Sequence, residues 1–143
     1  MPHHDVVAAV AVSLDGYIAE SDGTVGFLEK YPLPDFDFEG FVATIGALIM
    51  GSTTYEQTVA WGWGWGDLPT MVLTTRTGLS VPDGADVTFA SVPTAEAIRS
   101  FAAETPQRLW VFGGGQVITA GLQGGAIDTL DLTVMPDALG NGI

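Results

Sequence analysis

Apolar residues fall along this chain in short unbroken runs, separated by glycine-bearing polar segments and by stretches of helical period. Val6 to Val12 holds only valine and alanine, the pattern of a strand covered on both faces of a parallel sheet, and predicts a central strand. From Ser13 to Pro34 the composition turns loop-like, with Asp22, Gly23, Gly26, Pro32 and Pro34 as breakers. A connection that long in a small domain is usually functional. At Asp37 the period changes: Phe38, Phe41, Val42 and Ile45 lie at i, i+3, i+4 and i+7, predicting a sheet-packed helix capped by Asp37. Ala47 to Met50 is a second buried strand that ends at Gly51, and Thr53 to Gln57 opens another short helix. Thr70 to Thr75 and Val87 to Ala90 are the third and fourth strands. Pro93 to Ala103 is an amphipathic helix with Ala95, Ile98, Phe101 and Ala102 on one face. Leu109 to Phe112 is the fifth strand, followed by Gly113, Gly114 and Gly115 and a new apolar-periodic segment through Leu122. Asp128 to Met135 alternates Leu and Val against Thr and Asp, giving a sixth strand with one polar side.

Strands alternating with helices at this spacing predict an α/β fold, a three-layer sandwich around a mostly parallel sheet, with ligands at the carboxyl ends of the strands. Three strand ends carry glycine or hydroxyl residues suited to a nucleotide: Gly51 to Thr54, Thr74 to Arg76, and Gly113 to Gln116. Glycines let a backbone approach a ligand closely, and the free N–H groups of a helix's first turn face an anion with the dipole behind them. Taken singly, a strand-glycine-helix turn equally serves tight packing. Trp61 to Gly66 alternates tryptophan and glycine three times and reads as a loop. It suits a hydrophobic flap tucked over the domain or into a subunit interface, with stacking on a ligand ring as the alternative.

Length and an apolar content of 47% fit one domain with a substantial core. No run is long enough for a membrane span and no signal-peptide pattern opens the chain, so it reads as soluble and cytoplasmic. Without cysteines it has no disulfide, thiolate or Cys-ligated metal chemistry, and its histidines, His3 and His4, sit at the extreme N-terminus, away from any metal-site pattern. Seventeen acids against four bases (Lys30, Arg76, Arg99 and Arg108) give a net charge of -13, which argues against nucleic acid. It also means that any bound phosphate must be held mostly by backbone N–H groups, with at most one arginine.

Five segments, in order, resemble the dihydrofolate reductase fold family, and more closely its branch containing the reductase domain of riboflavin biosynthesis. They are Ala9 to Ala19 (Ala-Val-Ala-Val-Ser-Leu-Asp-Gly-Tyr-Ile-Ala), Leu48 to Glu56 (Leu-Ile-Met-Gly-Ser-Thr-Thr-Tyr-Glu), Met71 to Arg76, Val111 to Val117, and Ile127 to Pro136. The resemblance spans essentially the whole chain. It implies an NADPH-dependent reductase, with NADH not excluded, that passes hydride to an electron-poor ring or imine of a small-molecule substrate. It places the pyrophosphate on the turn formed by Gly113, Gly114, Gly115, Gln116 and Val117 and on the helix start at Gly51, Ser52, Thr53 and Thr54. It also implies a cis peptide between Gly113 and Gly114, carboxamide contacts from the backbone of Ala11 and Ile18, and a flap over the nicotinamide from Leu14 to Pro34.

The sequence departs from that family at three places. Ser52 stands where relatives often carry an arginine for the cofactor's 2′-phosphate, which leaves Arg76, beside Thr74 and Thr75, as the candidate. Reduction of a C=N bond needs a proton donor, and the segment after the flap offers Asp35, Asp37 and Glu39. Asp35 falls at the family's position, Glu39 borders the apolar stripe, and Asp37 is accounted for as a cap. Thr133 matches a threonine near the substrate, and also suits a core position. Finally, the sequence stops soon after Pro136, where the family continues to an antiparallel hairpin over the sixth strand's edge; a bare apolar edge recruits partners and allows a homodimer. The leading expectation is a reductase of a pterin- or pyrimidine-like heterocycle. The rivals are a non-catalytic nucleotide- or flavin-binding module, and an interaction protein using the Trp-Gly loop and edge strand.

Overall fold

The structure, a computed structural model, describes residues 5–17, 38–134, 139, 140 and 142. Among them lie six strands: β1 (Val6–Val12), β2 (Ile45–Gly51), β3 (Thr70–Leu73), β4 (Val87–Ala90), β5 (Arg108–Gly113) and β6 (Thr129–Val134). Four helices connect them: α1 (Phe38–Ala43), α2 (Ser52–Trp61), α3 (Thr94–Glu104) and α4 (Gly115–Gln123). The strands form one sheet in the order β4-β3-β2-β5-β1-β6, and every described pairing is parallel. Parallel strands need crossovers, so all the described carboxyl ends open on one side of the molecule.

Alternation along the strands divides the core in two. One apolar layer gathers Val6, Ala8, Ala47, Ile49, Leu109 and Val111 beneath Ala97 and Ile98 of α3 and Val117 and Ile118 of α4. The opposite layer gathers Val7, Leu48, Met50, Val72 and Trp110 beneath Phe41, Val42, Tyr55 and the Trp-Gly loop. Leu48, Ile49 and Met50 are all fully buried, as an unbroken apolar run in a doubly covered strand requires. Among the described residues no helix is long and apolar enough to cross a membrane.

Several boundaries differ from the sequence expectation. Ile45 belongs to β2, not to the preceding helix, because the Thr44 amide and hydroxyl both donate to the Phe41 carbonyl and close the helix at Ala43. Asp37, expected to cap that helix, lies outside the described residues. Helix α2 begins at Ser52 and includes Trp61, so the first tryptophan of the expected loop is helical. Strand β3 ends at Leu73: Thr74 still donates to Ala90 O at 2.9 Å, but its hydroxyl then accepts the Arg76 amide at 2.9 Å and turns the chain. Two of the three tryptophans of the Trp-Gly segment, Trp63 and Trp65, fold onto the domain. Trp65 meets Trp110 and Phe112 edge-on, each at 5.6 Å between ring centroids, and Trp63 meets Tyr55 at 5.9 Å.

Candidate functional site

Three strand ends converge at the carboxyl side of the sheet. Met50 pairs with Gly113 and Gly51 with Leu73, so the starts of α2 and α4 and the turn after β3 lie side by side. Both helices begin behind a glycine, Gly51 and Gly114, and neither N-cap makes a side-chain hydrogen bond. Nor does either first turn carry an acid. The first amides of a helix have no acceptor within it, so two sets of donors, each at the positive end of a dipole, come together here, neither capped by a side chain of its N-cap residue.

The two turns also touch. A Cβ on Gly114 would stand 3.2 Å from Thr54 Oγ1, and one on Gly51 would stand 3.3 Å from Val117 Cγ2. Larger residues would force the helix starts apart. Gly113 has φ of 139°, which L side chains rarely adopt, and the peptide joining it to Gly114 is cis. Of the predicted cofactor positions, Gly51, Ser52, Thr53, Thr54, Gly113, Gly114, Gly115, Gln116 and Val117 are thus brought together. Val117 is buried, whereas Thr53 and Gln116 are exposed.

Thr74, Thr75 and Arg76 leave β3 beside the start of α2. The Arg76 guanidinium forms an ion pair with Glu56, both side chains being about half exposed. The Tyr55 hydroxyl donates to the Ser80 carbonyl and ties the same loop to α2. Burial raises the Tyr55 pKa above its ordinary value, keeping the phenol a donor. The other described bases are occupied elsewhere: Arg99 donates to the Gly124 carbonyl, and Arg108 is paired with Asp5 at 2.9 Å.

On the other flank, β1 is registered against β5 only at Val6 and Val7, while its pairing with β6 runs from Val7 to Val12. Alternation in a parallel strand turns the main-chain groups of Ala9 and Ala11 toward β5, beyond the end of that ladder. The Ala9 carbonyl there accepts the Trp110 indole N–H at 3.2 Å. Past β1 the chain makes a tight turn: Ser13 N donates to Tyr17 O at 2.7 Å, and Ser13 Oγ donates to Asp15 Oδ1 at 2.6 Å while accepting the Tyr17 amide at 2.9 Å. Asp15 also accepts the amides of Leu139 (3.1 Å) and Gly140 (2.8 Å). The Ser13 hydroxyl first, then the Gly140 amide, lower its pKa to about 2.

Asp35 and Ile18 lie outside the described residues, as does most of the expected flap. Glu39 is exposed in the first turn of α1. Thr133 is in register with Ala11 across the β1–β6 pair. Two site features escaped the sequence reading. Glu56 was part of a helix opening with no chemistry attached, although an acid one turn beyond Gly51 and a base just beyond the next strand were available to pair. Asp15 sat in a Ser-Leu-Asp-Gly turn whose side-chain acceptor is a common turn device.

The model of the family described as RibD C-terminal domain matches residues 4–143. A curated relative, "Uncharacterized protein YwjB" of Bacillus subtilis (strain 168), is 31% identical over 147 residues, covering 96% of this chain and 79% of its own length. A crystal structure described as "Putative riboflavin biosynthesis protein" from Shewanella sp. PV-4 superposes with a TM-score of 0.74 at 29% identity, covering 96% of this chain and 80% of that one. Dihydrofolate reductase from Enterococcus faecalis, complexed with NADP(H) and RAB-propyl, superposes with a TM-score of 0.67 at 22% identity, covering 97% of this chain and 74% of its own. At that identity the last likeness shows the fold, which is dihydrofolate reductase-like.

Proposed function

The chain belongs to the RibD C-terminal domain family, and from that premise we propose that it is an NADPH-dependent reductase of a small pterin- or pyrimidine-like heterocycle. The observation that carries the reading is the pair of glycine-led helix starts, uncapped and free of acids, set against each other through Gly114 and Thr54. In this reading the amides of Gly115, Gln116 and Val117 and those of Ser52, Thr53 and Thr54 receive the pyrophosphate. Thr74, Thr75 and Arg76 face the adenosine ribose, and the backbone of Ala11 and Ile18 holds the carboxamide. When bound, the cofactor supplies the hydride.

The chain's own part is to orient that ring, exclude water and deliver a proton. Phe112 and Trp110, closed over by Trp65, offer a rigid apolar wall beside the part of β1 that lies beyond its ladder with β5. We assign the proton to Asp35, with Glu39 as the alternative, and place Thr133 near the substrate. The reading allows a homodimer, for which Leu130, Leu132 and Val134 of β6, exposed among the described residues, are the support.

Incubating the protein with NADPH and a series of dihydropterins and aminopyrimidines, and following loss of reduced-nicotinamide absorbance, tests the activity. Turnover of at least one member is expected. Asp35→Asn should lower kcat on the order of 100-fold, the usual size of a general-acid contribution, while leaving cofactor affinity intact. An unchanged rate moves the proton to Glu39. Cofactor binding without turnover of any substrate contradicts the reductase reading in favour of a non-catalytic nucleotide-binding module.

A further inference from the structure

Resting on the nucleotide reading above, we propose that Glu56 is a specificity-determining residue of the cofactor site, setting the preference between a 2′-phosphate and a free 2′-hydroxyl by holding Arg76. Ser52 offers no cation at the start of α2, and among the described residues Arg76 is the base that stands beside it. That guanidinium is already paired with Glu56, and its own amide is fixed by Thr74 Oγ1 at 2.9 Å. Among the described residues, the charge of Arg76 is therefore matched by Glu56 before any ligand arrives.

A 2′-phosphate carries close to two negative charges and would have to displace the Glu56 carboxylate from Arg76 and then sit beside it. A ribose diol meets no such conflict, because a carboxylate accepts hydrogen bonds from both hydroxyls. The ion pair is half exposed, so little energy holds it closed, and the phosphate can compete for the arginine. Glu56 thus weakens 2′-phosphate binding without forbidding it, and it does so through Arg76. Its side chain is exposed, so removing its charge leaves the core untouched.

The test is a fluorescence titration of the full chain and its Glu56→Gln variant with NADPH and NADH, and with the fragments adenosine 2′,5′-bisphosphate and 5′-AMP. Glu56→Gln should tighten NADPH and the bisphosphate about fivefold, the gain expected when the phosphate no longer has to open a half-exposed ion pair to reach Arg76. NADH and 5′-AMP should not tighten. In an Arg76→Ala background the gain should shrink to below about threefold if Glu56 acts through the arginine. Equal changes for phosphorylated and unphosphorylated ligands, or none, overturn the assignment of Glu56 while the cofactor site stands. Failure of all four ligands to bind any form overturns both.

Discussion

Asp15 is an exposed carboxylate tied to three donors, and its pKa of about 2 makes a local prediction about pH. The folded value lies below the ordinary aspartate value of 3.8, so the contribution of these bonds is fully present above 3.8 and is lost as pH falls through about 2. The amide resonances of Leu139 and Gly140 should titrate with a midpoint near 2 and lose the step in Asp15→Asn. A midpoint at the ordinary carboxylate value would show that the bonds do not persist in solution. This contact joins residues 124 and 125 positions apart, and nothing in a Ser-Leu-Asp-Gly tetrapeptide announces it. The Glu56–Arg76 pair was hidden for the same reason. A glycine turn is legible because the backbone demands it locally, whereas a charge acquires its role only when two strand ends become neighbours.

At the scale of elements, strands buried on both faces were the most legible, because short unbroken apolar runs such as Val6 to Val12 and Ala47 to Met50, bounded by polar or glycine residues, fit a doubly covered strand. Ends were less so. Ile45 satisfies both a helical stripe and a buried strand, and the Thr44 back-bonds that decide between them use a residue common in either. The Trp-Gly loop was ambiguous because glycine permits many paths; the structure docks Trp63 and Trp65 and leaves Trp61 68% exposed. Trp65→Ala should therefore cost about 3 kcal/mol by urea unfolding, the low end for truncating a large packed aromatic ring. Trp61→Ala should stay within about 0.5 kcal/mol. Equal costs would contradict the docked arrangement.

For the molecule as a whole, composition and topology act together on one site. The parallel sheet sets the glycine turns after β2 and β5 side by side, although their sequences are 62 residues apart, from Gly51 to Gly113. Alternating strands and helices made the layered fold legible, and the ordered family motifs identified it. The strand order β4-β3-β2-β5-β1-β6 comes from long-range pairing, which local periodicity does not encode. With a net charge of -13 and three described arginines each engaged, a polyanionic ligand would be held mainly by backbone amides. The most direct measurement is tryptophan-quenching titration of the wild type and Gly115→Asp with NADPH, alongside thermal unfolding. An aspartate in the first turn of α4 complements the helix dipole, so Tm should hold or rise. Set against a pyrophosphate, the same charge should weaken NADPH by at least about 100-fold, two steps of tenfold. Saturable wild-type binding that the variant loses while it remains folded is the predicted result. Unchanged affinity in a folded variant, or a wild type that binds neither NADPH nor NADH, would contradict the site.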